Sequence, residues 1–327
     1  MKRAASVCVA ILCAVSACSP GPGSDPGSSI HSAQNQGLEW KRFAPVPTAR
    51  TEVAAAALGA EIYVIGGFAD PGDTVSTVEI YNTRTDRWRK GPDLPLGVNH
   101  SMATEMGGRL YVAGGFRGPG SSEPVRRAYV FSGRRWRRIA NLPEPRAAGG
   151  LVTVGRRLYL VGGVEGGDAV ASPTFVYNPA RDRWAKRPAL PSHRQHLGAA
   201  GARGRVYVVG GRVHGLDTNT DRSDRFNPVS RRWKQITAMP TPRGGLAATG
   251  AMGFVIAAGG EADRTFDEVE AYDVEKKRWR RLPDMPTARH GLGVVAVGTV
   301  IYVLAGGTEP GLTYSNANEG LDLAPIR

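Results

Sequence analysis

Short apolar strands recur along the chain at a nearly constant interval. Each strand is rich in β-branched and aromatic residues, follows a turn that contains glycine, and ends in a glycine pair. The first glycines of the six pairs are Gly66, Gly114, Gly162, Gly210, Gly259 and Gly306, at intervals of 48, 48, 48, 49 and 47 residues. A repeat of this length holds about four strands, so the pattern predicts an all-β fold built from similar units.

An aromatic residue and then a tryptophan follow each of the first five glycine pairs. These aromatic couples are Tyr81 with Trp88, Phe131 with Trp136, Tyr177 with Trp184, Phe226 with Trp233, and Tyr272 with Trp279. A turn marked by proline comes next, and a new strand rich in alanine and glycine follows it. This order predicts that every repeat ends at the proline turn.

Together these features resemble Kelch repeats, whose signature is a glycine pair, a spaced tyrosine, a spaced tryptophan and a Pro-Arg turn. The resemblance covers residues 38–327 and implies a six-bladed β-propeller of four-stranded antiparallel blades. In the sixth repeat Leu321 replaces the aromatic residue, and the remaining tryptophan, Trp40, precedes the first repeat. We therefore expect the strand around residues 38–43 to complete the last blade, which removes an open sheet edge. All six tryptophans are then predicted to be packing anchors.

Residues 1–17 are typical of an export signal. Lys2 and Arg3 precede an apolar stretch that is too short to span a bilayer. The sequence Val15-Ser16-Ala17-Cys18 resembles a bacterial lipobox, which implies that Cys18 is diacylated; ordinary cleavage after Ala17 is the alternative. Residues 18–37 are predicted to be a linker, because proline, glycine and serine dominate them. We expect a membrane-anchored lipoprotein of the bacterial cell envelope, on its periplasmic or cell-surface face.

The cysteine positions and the net charge limit which sites and partners the protein can have. Cys8, Cys13 and Cys18 all precede the repeats, so we expect neither a disulfide nor a cysteine zinc site in the propeller. The net charge of +13 favours anionic surfaces or ligands. Nucleic acid is not an expected partner, since the chain carries an export signal and no nucleic-acid-binding motif.

The resemblance also implies where a ligand would bind. In a Kelch propeller the innermost strands line a central channel, and their first residues rim one of its mouths. The predicted mouth residues are Arg50, Glu52, Asn99, His100, Arg146, Arg194, His196, Arg243, Arg289 and His290. The five arginines, which Val98 replaces in the second repeat, would hold an anionic ligand through charge-assisted hydrogen bonds. Alternatively, each arginine is a structural residue that bonds neighbouring carbonyl groups.

Three of the mouth residues are histidines from alternate repeats. A metal ion needs its nitrogen ligands at about 2.1 Å, and His290 is offset by one position from His100 and His196. We therefore predict no metal and no cofactor. The segment from Asp217 to Asp221 has part of a calcium-loop spacing without the glycine and glutamate that complete it, so we predict a solvated loop.

Two functions fit this sequence. The preferred hypothesis is a non-catalytic binding or scaffolding module that holds a protein or a glycan, including an anionic one. The alternative is a sugar epimerase or mutarotase similar to the Kelch N-acetylneuraminate epimerase. In that enzyme hypothesis Glu52, His100 or His196 moves the proton, and Arg194 or Arg243 holds the sugar carboxylate. A copper centre like that of galactose oxidase is excluded, because it needs a cysteine inside the repeats.

Overall fold

The computed structural model describes residues 35, 37–166 and 169–326. The predicted signal peptide, Cys18 and nearly all of the predicted linker lie outside them. Strands account for almost all regular structure in the described part, and the helices there are two short 3₁₀ turns, Leu216–Thr218 and Ala324–Ile326. None of the helices in this part is long or apolar enough to cross a membrane. The prediction of an all-β fold is confirmed.

Five four-stranded antiparallel sheets follow one another along the chain, with their strands in sequence order. Sheet 1 consists of Ala54–Leu58, Glu61–Ile65, Val78–Asn82 and Arg87–Lys90. Sheet 2 consists of Met102–Glu105, Leu110–Ala113, Ala128–Phe131 and Trp136–Arg138. Sheet 3 consists of Gly150–Val154, Arg157–Val161, Thr174–Asn178 and Arg183–Arg187. Sheet 4 consists of Gly198–Ala202, Arg205–Val209, Ser223–Asn227 and Arg232–Ile236, and sheet 5 of Ala247–Ala251, Phe254–Ala258, Val269–Asp273 and Arg278–Arg281.

Sheet 6 combines strands from both ends of the described chain. It consists of Gly293–Val297, Val300–Leu304, Asn318–Asp322 and, as its outer strand, Trp40–Arg42. Trp40 lies opposite Leu321, just as Trp88 lies opposite Tyr81 in sheet 1. The substitution of leucine for the aromatic residue therefore keeps an apolar pair at this position, and Leu321 is completely buried.

Short strands extend the loops that follow the glycine pairs. Arg50–Thr51, Phe68–Ala69 and Asp73–Thr74 form one small sheet. Two hairpins pair Phe116–Arg117 with Glu123–Pro124 and Val164–Gly166 with Ala169–Val170. These loops stand at the end of the sheets where the first strands begin.

The first strands of the six sheets lie side by side. Each contacts the first strand of the next sheet, and the first strand of sheet 6 contacts that of sheet 1. This close approach explains why the strands are rich in alanine and glycine. A Cβ atom on Gly293 would lie 2.6 Å from the Cβ of Ala55, and one on Gly198 would lie 2.9 Å from the Cβ of Ala248. The second strands are the buried centre of each sheet, as their nearly continuous apolar sequences predict.

The glycine pairs link each sheet to the next one. Gly66 and Gly67 both have left-handed backbones, with φ of +61° and +97°, and a side chain at Gly67 would collide with Thr51. The Gly67 N–H donates to the carbonyl of Val98 at 2.9 Å, and the same bond recurs at each sheet. In sheet 6 the donor is Gly306, which bonds the Arg50 carbonyl at 2.8 Å. Ala305, with φ of +55°, therefore stands in the place of the first glycine, so the sixth pair is one residue earlier than the sequence pattern predicts.

The tryptophans also join neighbouring sheets. Every indole N–H donates to a backbone carbonyl just after the outer strand of the preceding sheet, at 2.8 to 3.0 Å. The acceptors of Trp40, Trp88, Trp136, Trp184, Trp233 and Trp279 are Pro283, Ala44, Pro92, Ala140, Pro188 and Thr237, respectively. All six tryptophans thus occupy one structural position.

Candidate functional site

Six residues with left-handed backbones precede the first strands of the sheets. They are Glu52, His100, Ala148, His196, Gly245 and Gly291, with φ between +50° and +68°. The N–H of each of the last five donates to the carbonyl of the one before it, at 2.8 to 3.0 Å, and Val53 N–H donates to the Gly291 carbonyl at 3.2 Å. We call this set of six residues the collar. A left-handed backbone is costly for residues other than glycine and concentrates at functional sites, which draws attention to Glu52, His100 and His196.

A mouth cavity of about 570 Å³ opens above the collar. Residues from all six repeats line it, including Glu52, Phe68, His100, Phe116, Val164, Gln195, His196, Arg212, Glu261, His290 and Leu312. A narrower space of about 140 Å³ continues beyond the collar between the alanine- and glycine-rich first strands. Glu52, His100 and His196 line both spaces, so these three side chains form the floor of the mouth cavity.

The mouth cavity has an apolar side and a charged side. Phe68 and Phe116 pack edge-on against the His100 ring, with ring centroids 6.0 and 5.4 Å away. In the charged part of the lining Arg212 Nη1 donates to Glu261 Oε1 at 2.9 Å, and both side chains are largely buried. The cavity can therefore contact an apolar group and a polar group of the same ligand.

Glu52 is surrounded by imidazoles. Its Oε2 lies 3.1 Å from His100 Nε2, and its Oε1 lies 3.3 Å from His290 Nδ1. Burial opposes ionisation of Glu52, but the imidazoles of His100 and His290 outweigh it and hold the pKa of this carboxyl well below its usual range. Space for the carboxylate comes from Gly291, where a Cβ would lie 2.6 Å from Glu52 Oε1.

His290 lies between two carboxylates. Besides Glu52, its Nδ1 faces Glu261 Oε2 at 3.5 Å. Burial alone would lower the pKa of His290, but the two carboxylates raise it above the ordinary value. His290 is thus favoured as an imidazolium, and together with Arg212 it balances the negative charges of Glu52 and Glu261.

His100 and His196 have different surroundings. Burial lowers the pKa of both imidazoles, and Arg212 lowers that of His196 further. Their rings are 4.9 Å apart in an edge-to-face arrangement. The Nδ1 atom of His100 lies 2.7 Å from Asn99 Oδ1, and that of His196 lies 2.7 Å from Gln195 Oε1. In both histidines Nδ1 is the donor, because the amide oxygen beside it can only accept a hydrogen bond.

The donor atoms of two residue groups converge closely enough to hold a metal ion. The groups are Glu52 with His100 and His196, and Glu52 with Glu261 and His290; in each, one donor atom per residue lies within 4.8 Å of the others. In the sequence His290 is offset by one position from His100 and His196. The structure explains the offset: in the sixth repeat Gly291 occupies the collar position, and His290 is the residue before it.

The five predicted mouth arginines lie elsewhere. Their side chains are completely buried and bond backbone carbonyls of their own sheet. Arg50, for example, donates to the carbonyls of Gly66 and Thr77 and to Glu79 Oε2 at 2.7 Å. Arg194 pairs in the same way with Asp224, Arg243 with Glu270, and Arg289 with Glu319. Burial lowers the pKa of Arg289 to about 10 although Glu319 opposes the shift, so the guanidinium stays charged at neutral pH.

The two remaining repeats replace this ion pair. Arg146 donates to the Gly162 carbonyl and to Glu165. Its guanidinium lies 5.0 Å from the ring of Phe175, which occupies the third-strand position that holds an acidic residue in sheets 1, 4, 5 and 6. In sheet 2 both partners are apolar or aromatic, Val98 and Tyr129, and both are buried. The structural interpretation therefore fits all five arginines, and these buried side chains do not form a cationic rim at the mouth.

Other predicted mouth residues do come together. Glu52, His100, His196 and His290 line the mouth cavity, and Asn99 contacts His100. Sequence reasoning missed Phe68, Phe116, Arg212 and Glu261. Each of these follows its glycine pair directly, a regular signal that could have found them. Asp217 and Asp221 are exposed, as predicted for a solvated loop.

Comparison with known protein families agrees with this architecture. The model of the Kelch motif matches residues 49–95 and 103–143, and that of the KLHDC2/KLHL20/DRC7 Kelch-repeats domain matches residues 140–307. No curated protein matches the chain. The repeats and the four-stranded antiparallel sheets are those of a repeat protein of the propeller type. The chain belongs to the Kelch-repeat family.

Proposed function

We propose that this protein is a non-catalytic binding module that holds a segment of a partner protein in the mouth cavity. Kelch domains generally mediate protein interactions. The observation that carries the proposal is the mouth cavity itself: every repeat contributes to its lining, and aromatic and charged side chains together surround a volume of about 570 Å³. Pockets of this size and mixed lining are typical binding sites.

The proposal includes a closed propeller of six blades, one for each sheet. Three contacts between sheet 6 and sheet 1 support closure. The Gly306 N–H bonds the Arg50 carbonyl, the Val53 N–H bonds the Gly291 carbonyl, and the Trp88 indole bonds the Ala44 carbonyl. Closure would leave no open sheet edge between first and last repeat, which protects a repeat protein from edge-to-edge association.

A partner protein fits the cavity better than an anionic sugar. Arg212 is the one guanidinium among the described residues of the cavity lining, and Glu261 already pairs with it. Leu312 is 51% exposed and offers apolar surface that a peptide side chain can bury, in a lining that also includes the edges of Phe68 and Phe116. A glycan remains the second kind of ligand to test, because the polar side supplies hydrogen-bonding groups.

We also propose that the module is exported and attached to the bacterial cell envelope by a lipid on Cys18. The support is the sequence that resembles a lipobox and the linker of residues 18–37. Mass spectrometry of membrane fractions tests this. We expect an acylated N-terminal peptide in the wild type and its loss in Cys18→Ala; an unmodified peptide in wild-type membranes would refute the anchor.

The binding proposal is tested with two matched variants. Leu312 lines the cavity and is 51% exposed, whereas Val229 lies outside it and is 86% exposed. Peptides are selected from a display library against residues 35–327, and their affinities are measured by calorimetry. We expect Leu312→Asp to weaken binding by more than about tenfold and Val229→Asp to leave it unchanged. Selection that yields no peptide sensitive to Leu312→Asp contradicts the proposal.

The mutarotase is the second candidate, because Glu52 and His100 form a close acid–base pair on the cavity floor. Arg194 and Arg243 cannot hold the sugar carboxylate in this structure, since both are buried against Asp224 and Glu270. We expect no acceleration of sialic acid mutarotation by the purified protein. Acceleration that disappears in Glu52→Gln would favour the enzyme over the binding module.

A further inference from the structure

Glu52, His100 and His196 meet on the cavity floor with their donor atoms within 4.8 Å of one another. Two imidazoles and one carboxylate are a common ligand set for divalent transition metals in proteins. We propose that these three residues bind one divalent transition-metal ion of the zinc type. The site lies on the floor of the mouth cavity, but metal binding does not depend on the binding function proposed above.

The hydrogen bonds of the two histidines prepare them as ligands. Metal-binding histidines almost always donate their other N–H to a carbonyl or carboxylate, which fixes the ring and leaves the second nitrogen with a free lone pair. Asn99 and Gln195 provide such an oxygen for the Nδ1 atoms of His100 and His196, at 2.7 Å in both cases. The amide of Asn99 is itself oriented, since its Nδ2 donates to Thr74 Oγ1 and to the Gly120 carbonyl. The Nε2 atoms are therefore left to bind a cation.

The contact between His100 and Glu52 then requires a positive charge. With the proton on Nδ1, the Nε2 lone pair faces Glu52 Oε2 at 3.1 Å. Two acceptors at this distance repel each other in a largely buried site, so the contact is filled either by a second proton on His100 or by a metal ion, and the metal ion is the occupant that we propose. A metal ion bound to Nε2 and to the carboxylate oxygen removes the repulsion and keeps both bonds to the amide oxygens.

The second convergent group does not need a metal. The Nδ1 atom of His290 faces the carboxylates of Glu52 and Glu261 at 3.3 and 3.5 Å, and Arg212 compensates the other oxygen of Glu261. A divalent cation there would lie next to two existing positive charges. The two groups share Glu52, so one metal ion and one imidazolium can each take one of its oxygens.

The ion would keep a coordination position for a fourth ligand. Ligand atoms of a tetrahedral zinc lie ~3.3 Å apart, close to the 3.1 Å between Glu52 Oε2 and His100 Nε2, and the donor atom of His196 lies within 4.8 Å of those of the other two residues. Three protein ligands leave one position open, as in zinc sites that bind water or a substrate. Because the floor residues border the mouth cavity, water or a ligand group from the cavity can fill this position.

Cobalt titration tests the site directly. Untagged protein is stripped with a chelator, and Co²⁺ is added while the visible d–d absorption of tetrahedral cobalt is followed. We expect one equivalent to bind, Zn²⁺ to displace it, and His196→Ala to weaken binding by more than about a hundredfold. The matched control is His193→Ala, which changes an exposed histidine three residues away and should behave as the wild type. His290→Gln should retain binding within about tenfold.

Thermal melting of each stripped variant separates loss of metal binding from loss of folding. Zn²⁺ should raise the melting temperature of the wild type and of His193→Ala but not that of a folded His196→Ala. Gln195→Ala should fold and bind more weakly by about tenfold or more, because it releases the ring of His196. Less than one equivalent of cobalt in the wild type, or equal affinity in His196→Ala, would overturn the proposal.

Discussion

Arg243 Nη1 lies 2.6 Å from Glu270 Oε2, and neither side chain reaches solvent. The guanidinium also donates to the carbonyls of Gly259, Thr241 and Glu268, while Thr241 Oγ1 donates to Glu270 Oε1. The same arrangement recurs as Arg50 with Glu79 and Arg289 with Glu319, where Thr48 and Thr287 supply the hydroxyl. A Pro-Thr-x-Arg turn and an acid in the third strand therefore form one recurring internal brace.

Removal of one partner from this brace should destabilise the protein strongly. We expect Arg243→Met to lower the free energy of unfolding by about 3–5 kcal/mol, because Glu270 is left as a buried, uncompensated charge. Urea denaturation measures the change. The double variant Arg243→Met with Glu270→Met should recover part of the loss. Arg281→Met, which breaks an exposed pair with Asp284, is the control and should cost less than about 1 kcal/mol.

The outer strand of sheet 6 provides a second prediction. Trp40→Phe keeps an aromatic ring opposite Leu321 but removes the indole bond to the Pro283 carbonyl. We expect a loss of about 0.5–1.5 kcal/mol in the free energy of unfolding. Trp88→Phe removes the equivalent bond to Ala44 and should cost a similar amount. If Trp40→Phe had no effect while Trp88→Phe did, the proposed closure by the N-terminal strand would be contradicted.

The glycine at collar position 291 should resist substitution more than an ordinary turn glycine. Gly291 and Gly59 have similar backbones, with φ of +57° and +62°, but a Cβ meets nothing at Gly59 and lies 2.6 Å from Glu52 Oε1 at Gly291. Gly59→Ala should cost about 1–2 kcal/mol from backbone strain alone. Gly291→Ala should cost about 1–3 kcal/mol more, because the Glu52 carboxylate has to move. If both variants lost the same free energy of unfolding in urea denaturation, the Glu52 carboxylate would move aside without cost and the prediction would be wrong.

Alkaline pH should unfold the protein through its tyrosines. Burial raises the pKa of every tyrosine in the six sheets, that of Tyr63 to about 12. The unfolded chain releases these protons at about pH 10 while the folded chain retains them, so stability is complete below pH 10 and falls as the pH rises above it. Urea denaturation between pH 8 and 11 measures the decline. Ultraviolet titration should show tyrosinate together with unfolding, and ionisation in the folded protein of more than the one tyrosine outside the sheets, Tyr314, would contradict this account.

The repeat fold was largely predictable from the sequence because its determinants are local. A glycine pair demands left-handed backbone wherever it occurs, and the tryptophan follows at a regular distance, so the Kelch repeats and the all-β class are confirmed. The sixth repeat exposes the limit of pattern matching. Gly306 and Gly307 look like the other pairs, yet Ala305 adopts the left-handed conformation and Gly306 takes the second position.

The lining of the mouth cavity was only partly predictable, because the spacing of residues in the sequence does not say which way each side chain points. Arg50 and Glu52 are two residues apart, but Arg50 turns into its sheet towards Glu79 while Glu52 lies on the cavity floor. The acids Glu79, Asp224, Glu270 and Glu319 are visible in the sequence as partners for the arginines. Convergence of Glu52 with His100 and His196 depends on the arrangement of three sheets around the collar, and no local pattern reports it.

The collar has a consequence for how this scaffold can change. Its bonds join backbone amides and carbonyls, so they form whatever side chain stands at a collar position. The collar positions already hold a glutamate, two histidines, an alanine and two glycines on equivalent backbone. New recognition chemistry can therefore be installed by exchanging residues at the collar positions other than Gly291, within the range that tolerates a left-handed backbone, while the main chain keeps the sheets together.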